Sequence, residues 1–108
     1  MASYTLVASR DSFVSNEVEL YYGLAADLRQ EGNEVTLFLV QNGVLPARES
    51  SASEQLSDLA EAGVEVLADS FSLRERGIPE SRLAAGVRAA ELDVIVDHLA
   101  EGRKVIWH

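Results

Sequence analysis

Glu31-Gly32-Asn33-Glu34-Val35-Thr36-Leu37-Phe38-Leu39-Val40-Gln41-Asn42-Gly43-Val44 is the stretch that decides the fold. Its centre, Val35 to Val40, is apolar on both faces. A strand half exposed to water would alternate, so this one belongs to a parallel sheet with helices on each side. Gly32 stands where a helix must end in a left-handed residue. Gln41-Asn42-Gly43 supplies turn chemistry, so the strand is expected over 35–41 with a tight turn after it.

Working outward toward the N-terminus, Val14, Val18, Tyr21, Ala25 and Leu28 recur in alternating steps of four and three, which is one helix face. Asn16 and Glu19 fit a capping box at its start. Before it, Tyr4 to Ala8 reads as a buried strand, broken by Ser9-Arg10-Asp11-Ser12. Toward the C-terminus, Ser51 and Glu54 open a second helix with Leu56, Leu59 and Ala60 inward and Gly63 at its end. Val64 to Ala68 is the third strand. Between Asp69 and Ala90 the pattern weakens. Phe71 to Arg76 predicts a short helix ended by Gly77, and Ile78-Pro79 an extended step. A second short helix is expected around Glu80 to Ala85, and a brief strand near Val87. A last helix carries Leu92, Ile95, Val96 and Leu99 on one face, and the final strand is expected over 104–107.

The junctions at Gly32, Gly63 and Gly102 share one order: helix, glycine, strand. Alternating strands and helices predict one three-layer α/β domain over residues 1–108, with a mainly parallel sheet and right-handed crossovers.

Composition narrows the function. The net charge is -9, from 18 acidic and 9 basic residues, which repels nucleic acid and anionic lipid. Among the basic residues only Lys104 is lysine, a bias expected of a salt-rich cytoplasm and equally of a GC-rich genome. No apolar run reaches the roughly 20 residues of a membrane helix, and Met1-Ala2-Ser3-Tyr4 has no signal-peptide pattern. The expectation is a soluble cytoplasmic protein. The absence of cysteine excludes thiol nucleophiles, persulfides and thiolate metal sites. With His98 and His108 as the only imidazoles, neither a metal site nor a cofactor is expected.

In open parallel sheets, ligands bind beyond the carboxyl ends of the strands. The candidate pocket therefore comprises Ser9 and Arg10 after the first strand, Gln41, Asn42 and Gly43 after the second, and Asp69, Ser70 and Ser72 after the third. No glycine-rich nucleotide fingerprint or Walker lysine accompanies them. His98, between Asp97 and Leu99, reads as lying on the solvated side of the last helix or in a subunit contact.

Three blocks resemble the DsrE/DsrF-like sulfur-relay family, which includes the TusD-type proteins. They are Glu31 to Val44, Asp69-Ser70-Phe71-Ser72-Leu73-Arg74-Glu75-Arg76-Gly77-Ile78, and the helix from Glu91 with Gly102 and the strand ending in Trp107. Many members have Cys-x-x-Cys-Leu-x-x-Arg-Gly-Ile at the second block. The resemblance implies a doubly wound parallel sheet of about five strands and homo-oligomers such as dimers, trimers or hexamers. It also places the sulfur-carrying cysteine at Asp69 and the second cysteine at Ser72, while Leu73, Arg76, Gly77 and Ile78 match.

Neither substitution carries the chemistry over. A carboxylate cannot form and break S–S bonds, and a serine hydroxyl needs an adjacent base. Asp69 reads as the N-cap of the short helix or as a general base or cation ligand. Leu45, Phe71 and Ile78, expected on loops, are costly to expose, which again points to an oligomer. Three readings follow: a non-catalytic oligomeric binding or scaffold protein, a ligand-binding protein or enzyme using Asp69, and a subunit paired with a cysteine-bearing homologue.

Overall fold

The computed structural model describes residues 2–11, 17–50 and 53–108. Five strands form one sheet: β1 (Ser3–Ala8), β2 (Glu34–Leu39), β3 (Glu65–Asp69), β4 (Val87–Ala90) and β5 (Lys104–Trp107). Their order is β4-β3-β2-β1-β5 and every pairing is parallel. Helices α1 (Glu17–Gln30), α2 (Glu54–Glu61), α3 (Ser70–Glu75) and α4 (Asp93–Ala100) fill the connections. The parallel α/β arrangement expected from the alternating pattern, and the doubly wound sheet of about five strands that the resemblance implies, are the ones observed. The two capping boxes rest on Asn16 and Ser51, which, like Ser12 and Val14, lie outside the described residues.

The two sheet faces are covered unequally. One packs on α1 and α2, burying Leu6, Leu37, Leu39 and Val66 against Val18, Tyr21, Ala25, Leu56 and Leu59. The other has a smaller apolar cluster of Val7, Phe38, Val40 and Leu67, with Ile95 of α4. At the amino end of this second face the sheet turns polar. Thr5 and Thr36 pair in register, and both are buried. Thr36 donates to Glu65 at 2.9 Å, Glu65 holds Arg88 at 2.8 Å, and Arg103 grips Glu34 at 2.7 Å. Side chains with charged ends thus cover β-sheet that α4 does not reach.

Several local expectations are corrected. The second strand stops at Leu39, not 41, and Gln41–Ala47 is a 3₁₀ segment that runs through Pro46 in place of a tight turn. The third strand runs one residue further, to Asp69. The helix expected around Glu80 to Ala85 is a single 3₁₀ turn, Glu80–Arg82, because the chain then pairs Leu83 with Arg48 in an antiparallel bridge. Ile78 is buried, whereas Phe71, on α3, is exposed.

Leu92, just before α4, and Val96 and Leu99 on it are exposed. Only Ile95 of the expected apolar face is buried, and beside it the helix turns His98 inward, only 7% exposed. Its Nδ1 shares a 2.7 Å hydrogen bond with Thr5 Oγ1. The solvated reading of His98 is thus overturned. The buried Thr5 hydroxyl of β1 thus finds its partner in His98 on the sheet-facing side of the helix.

Candidate functional site

The carboxyl end of β3 delivers Asp69 directly into α3. Asp69 keeps extended backbone angles while the next residue starts the helix, as an N-cap requires. Its Oδ2 accepts the Ser72 amide at 3.0 Å and the Ser72 hydroxyl at 2.7 Å. Both side chains are buried. An acidic residue suits this position because the first amides of a helix have no partner within it.

Ser72 joins a second loop to this cap. While its hydroxyl donates to Asp69, its oxygen accepts the Gln41 amide at 2.8 Å. Gln41 adopts a φ of 52°, the left-handed region that side chains disfavour, and this bond helps hold it there. Gly43 then lies against β1: a Cβ there would overlap the Ala8 carbonyl oxygen. The turn from β2 thus needs glycine for close approach, with Val40 N–H donating to Ala8 at 2.9 Å beside it.

Arg76 completes the group. Its Nε and second terminal nitrogen donate to Asn42 Oδ1 at 3.2 and 3.0 Å, and its other terminal nitrogen donates to the Ser72 carbonyl at 3.2 Å. The sequence reading treated Arg76 as a helix end, and nothing local signals a partner 34 residues away.

The eight candidate residues therefore divide. Asp69, Ser72, Gln41 and Asn42 form one connected cluster, with Gly43 pinning the loop that carries two of them. Ser70 turns aside and donates to the Ala90 carbonyl of β4 at 3.1 Å. Ser9 turns the other way, its amide and hydroxyl donating to the His108 carbonyl at 2.9 and 3.0 Å. Arg10 is more than half exposed and lies 3.6 Å from Glu17.

Chemically, the cluster is a set of satisfied hydrogen bonds. The Ser72 hydroxyl faces a carboxylate and not an imidazole: His98 is bonded to Thr5, and His108 lies 3.3 Å from Glu17. Among the described residues no group of three His, Asp or Glu side chains could hold a metal ion. No described helix is long and apolar enough to cross a membrane.

Two tyrosines on α1 have raised hydroxyl pKa values. Tyr21 donates to the carbonyls of Val7 and Ile106 at 3.2 and 2.6 Å, tying the helix to β1 and β5. Burial pushes its hydroxyl up to about 12, less the effect of the Val7 bond. Tyr22 is also pushed up to about 12, by burial and then by the charge of Asp11, and its hydroxyl has no hydrogen-bond partner among the described residues.

The fold has solved counterparts. The ychN protein from E. coli superposes with a TM-score of 0.88 at 21% identity, covering all of both chains. A protein of unknown function from Methanobacterium thermoautotrophicum gives 0.83 at 23% identity, over 99% of this chain and 98% of the other. A conserved protein of unknown function from Bacteroides thetaiotaomicron gives 0.80 at 14% identity, over 98% and 94%. No curated protein matches at a significant level. These likenesses establish the architecture, and a family model that matches residues 2–108, with Asp69 inside its span, establishes that the chain belongs to the DsrE/DsrF-like family.

Proposed function

We propose that this protein is a non-catalytic member of its family, an oligomeric binding or scaffold protein of the cytoplasm that cannot carry persulfide sulfur. The observation that supports this most is the state of Asp69. It stands where the resemblance puts the sulfur-carrying cysteine, and its carboxylate is engaged as a helix cap by the Ser72 amide and hydroxyl. The chain has no cysteine at any position, and its one methionine is a thioether with no S–H to exchange.

The test is incubation with a sulfane-sulfur donor followed by intact-mass measurement. The expected result is an unchanged mass. A stable gain of one sulfur atom overturns the reading. Mixing with a cysteine-bearing homologue before gel filtration separates a scaffold of like subunits from a partner in a mixed assembly. The homo-oligomer reading is supported by the exposed apolar side chains on α4 and β5, which cost free energy in water.

A further inference from the structure

We infer that the β5 edge of the sheet is a self-complementary docking surface for a second copy of this chain. This rests on the oligomeric reading above and specifies which surface is covered. β5 pairs only with β1 and has no described strand on its outer side. Its outer backbone groups are therefore open to an added strand. On one side, Leu20 and Leu24 of α1 line a groove of about 460 Å³ with Tyr21 and Ile106.

On the other side lies α4. It descends from β4 to β5 in a right-handed crossover. With Ile95 and His98 turned to the sheet, a step of about 100° per residue sets Val96 and Leu99 on the flank toward β5. The apolar surface thus extends from α1, across the strand edge, to α4. Leu20, Leu24, Val96, Leu99, Ile106 and Trp107 remain between 38% and 76% exposed. A stable dimer takes roughly 800 Å² from each partner, of which a little over half is apolar. Six such side chains are on that scale.

Charge selects a second copy as the occupant. Lys104 and Ile106 pair with Tyr4 and Leu6, on the α1 side, while Val105 and Trp107 pair with Thr5 and Val7, on the α4 side. Opposed residues of an antiparallel pair share a face. With Ile106 on a two-fold axis, Val105 meets the second copy's Trp107, and Lys104 meets its His108 end, where Glu17 stands 3.3 Å from the imidazole. Lys104 lies 5.5 Å from the Tyr4 ring and has no ion pair among the described residues. The contact gives it one with Glu17 of the other copy, twice per dimer, on a chain whose net charge of -9 otherwise repels its own kind.

The experiment is sedimentation over a concentration series, together with the emission of Trp107, the single tryptophan. The expected result is an even-numbered assembly whose tryptophan emission moves to the red on dilution. Lys104→Glu and Glu17→Lys should each weaken association on the order of tenfold, and the double charge swap should restore it. Lys104→Ala should also weaken it. A lysine that merely blunts the edge gives the opposite response, since its removal would promote association. Circular dichroism of each variant separates loss of association from loss of fold. An oligomer unmoved by any of these changes, or one with an odd number of subunits held by like contacts, overturns the β5 pairing and leaves the oligomeric reading standing. A wild-type monomer throughout the micromolar range overturns both.

Discussion

The two faces of the sheet are built on different terms. Among the described residues, the α1 and α2 face buries twenty in one cluster, including residues of four strands. Among the described residues the α4 face buries an apolar cluster of five, beside Thr5, Thr36 and His98, and its covering helix leaves Val96 and Leu99 exposed. The strands alternate side chains between the faces, so each strand residue serves one face or the other. The first face supplies most of the apolar core, while the second leaves apolar side chains of its covering helix exposed.

Substitutions on the two faces should therefore differ sharply. Leu37 has no exposed surface and lies in the larger cluster, so Leu37→Ala should cost about 3–5 kcal/mol. That is a large share of the roughly 5–15 kcal/mol that holds a domain folded. Leu99→Ala, on the outer flank of α4, should change monomer stability by less than about 0.5 kcal/mol. Denaturant titration at a concentration that keeps the chain monomeric checks both. Equal losses would show that α4 is packed as tightly as α1 and would break the comparison.

The same contrast explains what the sequence disclosed. Val35 to Val40 announced a covered parallel strand because its apolar residues are continuous, and burial on both faces leaves no other economical arrangement. The cap at Asp69 was one of two readings because its determinants, Asp69 and Ser72, are three residues apart. His98 was illegible. Its environment is set by Thr5, 93 residues away, and polarity alone pointed it outward. The 3₁₀ segment after β2 was hidden for the same reason: Ser72 holds Gln41, and Ala8 admits only glycine at position 43. Arg76 was found only when the fold brought Asn42 to it.

Asp69 lies at the seam between the faces, where β3 runs into α3. A capping carboxylate can be replaced by an amide that caps as well, so Asp69→Asn should be mild, while Asp69→Ala should cost about 1 kcal/mol. The alanine change also frees the Ser72 hydroxyl that holds Gln41 through its oxygen. Melting temperatures of the two variants, with a screen of small ligands, sharpen the distinction between structure and chemistry at this position. An asparagine variant as stable as wild type that has lost a ligand-induced rise in melting temperature would assign Asp69 to binding instead.

One small expected effect on the better-packed face is a gain. Tyr22 is buried, and its hydroxyl has no hydrogen-bond partner among the described residues. An unpaired buried hydroxyl carries a desolvation cost, so Tyr22→Phe should raise stability by a fraction of about 1 kcal/mol. The same burial raises the Tyr22 hydroxyl from 10.0 to about 12. Below pH 10 the folded and unfolded chains both keep that proton, and the hydroxyl adds no pH dependence. Between pH 10 and about 12 the unfolded chain releases it first, so stability falls as pH rises through that window. Tyr21, also raised to about 12, contributes a loss of the same sign. Tyr22→Phe should therefore flatten the alkaline decline only in part, leaving the Tyr21 share. Urea titrations of wild type and variant from pH 8 to 12 measure both effects. A destabilised phenylalanine variant would show that the Tyr22 hydroxyl has a partner in solution, and that the larger cluster is as polar at its margin as the smaller one.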